Sequence, residues 1–176
     1  MASDEFIPGK SSLIPSRESA TTRASRTEHR IFLAPGDFHV SMQPAQITTI
    51  LGSCVSICLW DAKTHFGGMN HYLFPEWLAG EGPSTRFGNV ATLHLLSDLL
   101  DLGCDPKNIK AKVFGGAALF ARPDCYPTSL GAKNVEIAHR MMERAGIPII
   151  GQDTGGQHGR KIIFDTADCS AWSRKV

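Results

Sequence analysis

Cys54 and His71 are the residues whose types and spacing point most directly to chemistry. Cys54 ends the sequence Leu51-Gly52-Ser53-Cys54, and the imidazole follows seventeen positions later in Gly67-Gly68-Met69-Asn70-His71. A free thiol with a pKa of about 8.5 is only slightly ionised at neutral pH, whereas a neighbouring imidazole can activate it as a thiolate. The pair therefore predicts a thiol nucleophile with its own base, which is the chemistry of covalent acyl transfer.

Burial in the core is the ordinary alternative for Cys54, because cysteine often packs as a small hydrophobe. Three features of the sequence favour the chemical role. Gly52-Ser53 can turn sharply and present amide donors, Gly67-Gly68 lets the strand of His71 approach closely, and Thr48 and Thr49 supply hydroxyls nearby. Together they indicate a reactive site more than a packing position.

A zinc site built from Cys54, Cys58, His65 and His71 is the competing use of the same residues. The run 54–60 alternates in polarity, which is typical of a strand. On a strand, residues 54 and 58 lie about 13 Å apart, at about 3.3 Å for each residue. Both thiolates would have to lie about 2.3 Å from one zinc ion, so we expect no metal.

Hydrophobic periodicity predicts short strands interrupted by two helices. The predicted strands are 31–34, 38–41, 46–51, 54–60, 67–74, 109–114, 147–151 and 160–166. The first predicted helix covers about 86–102 and is capped by Ser84 or Thr85, and the second covers about 134–145 and is capped by Asn134. Strands 54–60 and 67–74 flank a turn, so Cys54 and His71 can meet across a hairpin if the register permits. This order of elements predicts an α+β sandwich.

Composition limits the class of protein. The chain has 176 residues, 42% of them hydrophobic and 20% charged, with a formal net charge of +1. We expect a flexible extension over residues 1–29 and one domain over 30–176. The scattered charge gives no case for a nucleic-acid partner, no apolar run has membrane-spanning length, and five cysteines at irregular spacing favour a reducing cytoplasm.

Several motifs in order resemble those of the CheD family of chemoreceptor glutamine deamidases. The matching segments are Leu51-Gly52-Ser53-Cys54-Val55, Gly67-Gly68-Met69-Asn70-His71 with Pro75, Arg86-Phe87-Gly88, the run from Ala111 to Ala117, Gly131 with Asn134, and Asp153-Thr154-Gly155-Gly156 with Gly159-Arg160. The resemblance covers about residues 31–164. It implies mostly antiparallel sheets with helices packed on one side, similar to the catalytic domain of cytotoxic necrotizing factor.

The resemblance also implies a reaction and its residues. A cytoplasmic chemotaxis enzyme would convert glutamine side chains on methyl-accepting receptors to glutamate through a thioester on Cys54. His71 would be the base, and the family's threonine, six positions before the cysteine, falls on Thr48, with Thr49 left open. The amides from Gly52 and Ser53 to Cys54 are the candidates for binding the oxyanion.

The substrate pocket and the partners follow from the same resemblance. Asn70 and Tyr72 are further candidates for oxyanion or substrate contacts, and Tyr72, Phe74, Trp77 and residues 80–83 are candidates for the rim of a shallow pocket. The reaction needs no cofactor. Two alternatives stay open: hydrolysis of glutamyl methyl esters on the same receptors, and a binding role, without turnover, on receptors or a CheC-type phosphatase.

Overall fold

Two β-sheets and two α-helices form the fold in the computed structural model, which describes residues 29–80, 82–119 and 127–176. The elements in chain order are β1 His29–Phe32, β2 Phe38–Ser41, β3 Ala45–Leu51, β4 Val55–Asp61, β5 Gly67–Asn70, α1 Gly88–Asp101, β6 Ile109–Gly115, α2 Leu130–Ala145, β7 Ile149–Thr154, β8 Arg160–Asp165 and β9 Ser170–Lys175. Apart from residue 29, the extension predicted over residues 1–29 lies outside the described residues.

The strands divide between a four-stranded first sheet and a five-stranded second sheet. The first sheet has the order β1-β3-β8-β9, and the second has the order β2-β5-β4-β6-β7. One neighbouring pair in each sheet is parallel, β1 with β3 and β6 with β7, and the others are antiparallel. This arrangement confirms the predicted α+β class with mostly antiparallel sheets.

The second sheet is the middle layer of three. One of its faces packs on the helices and the other packs on the first sheet. Val55 and Ile57 of β4 pack in a cluster with Leu95 of α1 and Ile137 of α2. Cys58 of the same strand points the other way, into a cluster that includes Ile47, Phe164 and other residues of the first sheet. The helices therefore cover one side of the sandwich, as the resemblance implied.

Strands β1 and β2 do not pair with each other, although the sequence places them on either side of one turn. β1 joins the first sheet beside β3, and β2 joins the second sheet beside β5. The turn between them reaches His71: Gly36 N donates to His71 O at 2.7 Å, and His71 N donates to Asp37 O at 2.9 Å. This crossing between the sheets fixes the backbone of His71.

The helix starts and the last strand differ from the predictions. The N-cap of α1 is Phe87, without a side-chain hydrogen bond, and not Ser84 or Thr85. α2 begins at Leu130 because Ser129 caps it by accepting from Ala132 N, which leaves Asn134 inside the helix. β9 was not predicted, since most of its residues are exposed and polar.

The helices of the described ranges carry no membrane-crossing candidate. Within those ranges, no helix combines the length and the hydropathy that a transmembrane span requires.

Candidate active site

Cys54 lies at the end of the loop 52–54, which joins β3 of the first sheet to β4 of the second sheet. Protein donors hold all three carbonyl groups of this loop. Ala117 N donates to Gly52 O at 2.8 Å, and Gly116 N donates to Cys54 O at 2.8 Å. The side chain of Asn134 donates to Ser53 O at 2.9 Å. The backbone beside the thiol is therefore fixed.

The fixed carbonyls also set the direction of the amide N–H groups. A trans peptide group points its C=O and N–H in opposite directions, so Ser53 N–H points away from Ala117, and Cys54 N–H away from Asn134. The N–H group of Cys54 lowers the pKa of its own thiol, in opposition to burial. These two amides are the donors that an oxyanion formed beside Cys54 would meet.

Glycine is required where β6 passes the loop. Gly115 has φ +105°, and a Cβ atom there would collide with the carbonyl oxygen of Cys54. Because a left-handed backbone strains other residues, the glycines after Phe114 allow the close approach that lets Gly116 N reach the loop. The Phe114-Gly115-Gly116 motif thus holds the loop that carries Cys54.

His71 is buried between the two sheets, and Thr49 fixes its orientation. The Thr49 hydroxyl oxygen lies 2.8 Å from His71 Nδ1. The same hydroxyl donates its single hydrogen to Leu33 O at 2.8 Å. The oxygen must therefore accept from His71, which assigns the proton to Nδ1 and leaves a lone pair on Nε2. An imidazole in this tautomer has the form of a general base.

Thr49, and not Thr48, contacts His71, which corrects the residue that the family spacing indicated. Along β3 the buried side chains alternate, and Ile47, Thr49 and Leu51 face the space between the sheets. Thr48 is half-buried on the opposite face, because consecutive strand residues point to opposite sides of a sheet. The exposed face of the first sheet offers Thr48 no access to the imidazole.

The strand register places Cys54 and His71 on one face of the predicted hairpin. β4 and β5 pair antiparallel, with Cys58 opposite Met69, and the isolated bridge between Val55 and Tyr72 keeps that register. Residue 56 therefore lies opposite His71, and Cys54 is the diagonal neighbour of His71 on the same face, a spacing that side chains can span. Nε2 of His71 is buried and has no hydrogen-bond partner among the described residues, so the thiol and imidazole are near neighbours without a bond.

Burial keeps both groups neutral. It raises the pKa of the Cys54 thiol, and the hydrogen bond from its own N–H opposes that rise in part. Burial lowers the pKa of His71, and the contacts with the Leu33 backbone and the nearby Asp37 carboxylate oppose that change in part. The resting site is thus a thiol beside a neutral imidazole, and not the thiolate that the sequence spacing suggested.

We expect the alkylation rate of Cys54 to rise with pH through a midpoint above about 8.5, the ordinary thiol pKa. Iodoacetamide labelling followed by peptide mass spectrometry measures this midpoint residue by residue. Among the described cysteines, Cys58, Cys104 and Cys169 are buried, so Cys54 should react first. A midpoint well below neutrality would show a resting thiolate and contradict this description.

Asn70 and Tyr72 do not face the thiol. Asn70 is fully buried and accepts from Ile57 N at 2.8 Å through Oδ1, on the side of the sheet that faces the helices. Tyr72 is also fully buried, and its hydroxyl donates to Asn134 O at 2.6 Å. Both side chains therefore lie behind the loop that carries Cys54, on the helix side of the second sheet.

An open groove of about 400 Å³ lies beside the nucleophile loop. Small and apolar residues line it, namely Ser53, Ala117, Ala118, Leu119, Ser129, Leu130 and Gly131. Leu119 and Leu130 are 43% and 40% exposed. The groove is a candidate for the shallow pocket that the sequence favours. Among the described residues its wall comes from the start of α2 and the segment after β6. The expected rim residues Tyr72, Phe74 and Trp77 do not line it, and residue 81 of the expected rim segment 80–83 lies outside the described residues.

Of the four residues considered for zinc, Cys58 and His65 lie apart from Cys54 and His71. Cys58 is buried in the core between the sheets, and His65 lies in the turn after β4, where Nδ1 is 3.1 Å from Ala167 O. Across the described ranges, no group of three or more His, Cys, Asp or Glu side chains is arranged to hold a metal ion.

Known proteins are similar to this chain over most of its length. The model of the family described as CheD chemotactic sensory transduction matches residues 75–175. A protein of Trichlorobacter lovleyi named probable chemoreceptor glutamine deamidase CheD is 42% identical over 138 residues, which cover 78% of this chain and 84% of that protein. A Rhodospirillum rubrum protein of the same name is 45% identical over 139 residues, covering 77% of this chain and 76% of that protein.

The chain is also similar to a further curated relative and to a solved structure. The Anaeromyxobacter dehalogenans protein named probable chemoreceptor glutamine deamidase CheD 1 is 40% identical over 152 residues, covering 84% of this chain and 85% of its own length. The crystal structure of Bacillus licheniformis hypothetical protein YfiH overlaps 69% of this chain and 51% of that chain, with a TM-score of 0.46 at 16% identity. The curated relatives confirm the resemblance seen in the sequence, and the chain belongs to the CheD family.

Proposed function

We propose that the protein hydrolyses side-chain amides of glutamine on methyl-accepting chemoreceptors, giving glutamate and ammonia. The observation that carries the proposal is the Nε2 lone pair of His71, oriented by Thr49 on the same face as Cys54. The names of the curated relatives support the same reaction and substrate class. We place the reaction in the cytoplasm, at the receptor signalling helices.

The first step forms a thioester. When a receptor helix docks in the groove beside Ser53, rotation of the Cys54 side chain brings Sγ to Nε2 of His71. The imidazole takes the thiol proton as sulfur attacks the glutamine carbonyl carbon, and the carbonyl oxygen becomes an oxyanion. The N–H groups of Ser53 and Cys54 donate to that oxygen.

The second step releases ammonia and regenerates the thiol. The imidazolium returns its proton to the nitrogen, the carbon–nitrogen bond breaks, and ammonia leaves as a neutral molecule. Neutral His71 then takes a proton from water, whose oxygen attacks the thioester, and the proton passes to the departing sulfur. Glutamate and the Cys54 thiol result, with no cofactor required by these steps.

Thr49 acts in this scheme by holding the imidazole in its productive tautomer. Thr49→Val removes the oxygen that accepts from Nδ1, and the other tautomer has no lone pair on Nε2. A neutral hydrogen bond contributes about 0.5–1.5 kcal/mol, so we expect kcat to fall about 2- to 13-fold. Thr48→Val is the matched control and should keep kcat near the wild-type value. Equal losses in the two variants would remove Thr49 from the mechanism.

Two related functions use the same surface. A glutamyl methyl ester presents the same acyl carbon to Cys54, so esterase activity would release methanol in place of ammonia. A binding role on receptors or a CheC-type phosphatase would need the groove but not the thiol. The likeness to the catalytic domain of cytotoxic necrotizing factor stays a prediction of the sequence.

Product analysis tests the proposal. Purified protein is incubated with a receptor cytoplasmic fragment carrying unmodified glutamines, and with the same fragment after methylation. We expect ammonia from the first. Methanol from the second without ammonia from the first would indicate an esterase, and neither product would leave only a binding role.

A further inference from the structure

We propose that Asn134 is a positioning residue for this site: it holds the peptide group between Ser53 and Cys54 so that the Cys54 N–H points to the reacting carbonyl. The inference rests on the proposed function, because the Cys54 N–H is an oxyanion donor only in that reaction. Asn134 of α2 would hold this donor in place.

The side-chain amide of Asn134 joins the two segments that carry the nucleophile and the base. Nδ2 donates to Ser53 O at 2.9 Å and to Leu73 O at 2.8 Å. Both partners are carbonyl oxygens, so only the NH₂ group of the amide can face them, and both of its hydrogens are used. Leu73 is two residues after His71, which means that one side chain holds the two halves of the site together.

Contacts from two directions hold Asn134 itself in place. Its side chain is fully buried in the second turn of α2. Tyr72 donates to its backbone carbonyl at 2.6 Å. One turn earlier, Gly131 packs so closely on the segment after β6 that a Cβ atom would lie 2.6 Å from Ala117 O. The amide therefore presents its donors from a rigid position.

The side chain of Asn134 forms hydrogen bonds only through its NH₂ group, among the described residues. Its Oδ1 atom is buried without a hydrogen-bond partner among the described residues, whereas both Nδ2 hydrogens are paired. A side chain of similar shape without donors, such as leucine, would leave the Ser53 carbonyl unpaired and free to turn. Turning that peptide group moves the Cys54 N–H away from both the thiol and the oxyanion position.

Two measurements should therefore change together in Asn134→Leu. Loss of one oriented oxyanion donor lowers kcat by about 100-fold, with KM unchanged, because the donor acts on the oxyanion and not on the bound amide. The pH midpoint for alkylation of Cys54 should rise, because the N–H that lowers the thiol pKa no longer faces it. A role in folding alone would lower Tm without moving that midpoint.

Thr166→Val is the matched control for loss of a buried hydrogen bond. Thr166 is fully buried, accepts from Ala45 N at 2.9 Å and lies at the other end of the first sheet's β8. We expect this variant to lower Tm but to keep the wild-type kcat and alkylation midpoint. If Asn134→Leu does not fold, Tyr72→Phe removes only the hydroxyl that fixes Asn134, and it should shift kcat and the midpoint in the same directions by smaller factors.

The outcomes separate this inference from the proposed function. Lower kcat and a higher midpoint in Asn134→Leu, with neither in Thr166→Val, support the positioning role. A folded Asn134→Leu protein with wild-type kcat and midpoint overturns it, and so does an unchanged Tyr72→Phe protein where the leucine variant does not fold. If the wild-type protein releases no ammonia, the proposed function fails, whereas the alkylation midpoints still decide whether Asn134 orients the Cys54 amide.

Discussion

Cys54→Ala protein should release no ammonia from a receptor cytoplasmic fragment above the rate of the fragment alone. The substitution removes the only atom that forms the thioester, and loss of the nucleophile in comparable hydrolases lowers kcat on the order of a million-fold. Because Cys54 is only half-buried, alanine should leave Tm close to the wild-type value. Coupled ammonia detection and a thermal melt on the same preparation measure both quantities.

Cys104→Ala is the control that separates chemistry from packing. Cys104 is buried in the cluster between the second sheet and the helices, away from the nucleophile loop. We expect it to lower Tm and to keep deamidation. Undiminished ammonia release from Cys54→Ala would exclude the thioester, whatever the control shows.

His71→Asn should lower kcat by about 100- to 10,000-fold, the range for loss of a general acid–base group. The asparagine side chain ends near the position of Nδ1, so Thr49 keeps a partner, but no lone pair remains at the position of Nε2. The alkylation midpoint of Cys54 should change little, because the resting thiol makes no hydrogen bond to the imidazole among the described residues. A large fall in kcat with an unchanged midpoint distinguishes a base from a group that stabilises a thiolate.

The pH dependence of the wild-type protein supplies the control for His71. Burial lowers the pKa of His71, so its base form persists below the ordinary histidine value of about 6.5. Activity should therefore fall on acidification with a midpoint below about 6.5, and the residual activity of His71→Asn should lack that fall. An identical acid limb in both proteins would assign the titration to another group.

Periodicity was sufficient to predict the part of the site that lies on one hairpin. Alternating polarity in 54–60 and the following glycine-rich strand predicted a hairpin on which Cys54 and His71 can meet if the register permits. The β4–β5 register places both residues on one face. The hairpin was predictable because both strands and their turn are continuous in sequence.

The threonine that contacts His71 was harder to predict, because it comes from the other sheet. The spacing of the family indicated Thr48, whereas the alternation of buried residues along β3 indicates Thr49 once Ile47 and Leu51 are known to face inward. That inward face depends on β3 pairing with β8, and all the paired residues are more than a hundred positions apart in the chain. Local pattern alone left both threonines open.

Asn134 shows a second limit of sequence reasoning. Asparagine near a helix start predicts a cap, and the capping role belongs to Ser129 instead. The sequence around Asn134 does not reveal its hydrogen-bond partners. These are Ser53 and Leu73, which are 81 and 61 positions away in the chain. The tertiary fold, and not the helix, gives this residue its role.

Site-resolved mass spectrometry of a receptor fragment shows directly whether the protein deamidates glutamine through Cys54. The fragment is incubated with wild-type protein and, in parallel, with folded Cys54→Ala, and each glutamine is inspected for conversion to glutamate. We predict conversion at specific glutamines with the wild-type protein and none with the variant. Conversion at the same sites by Cys54→Ala, or by neither protein, would contradict deamidation through a Cys54 thioester.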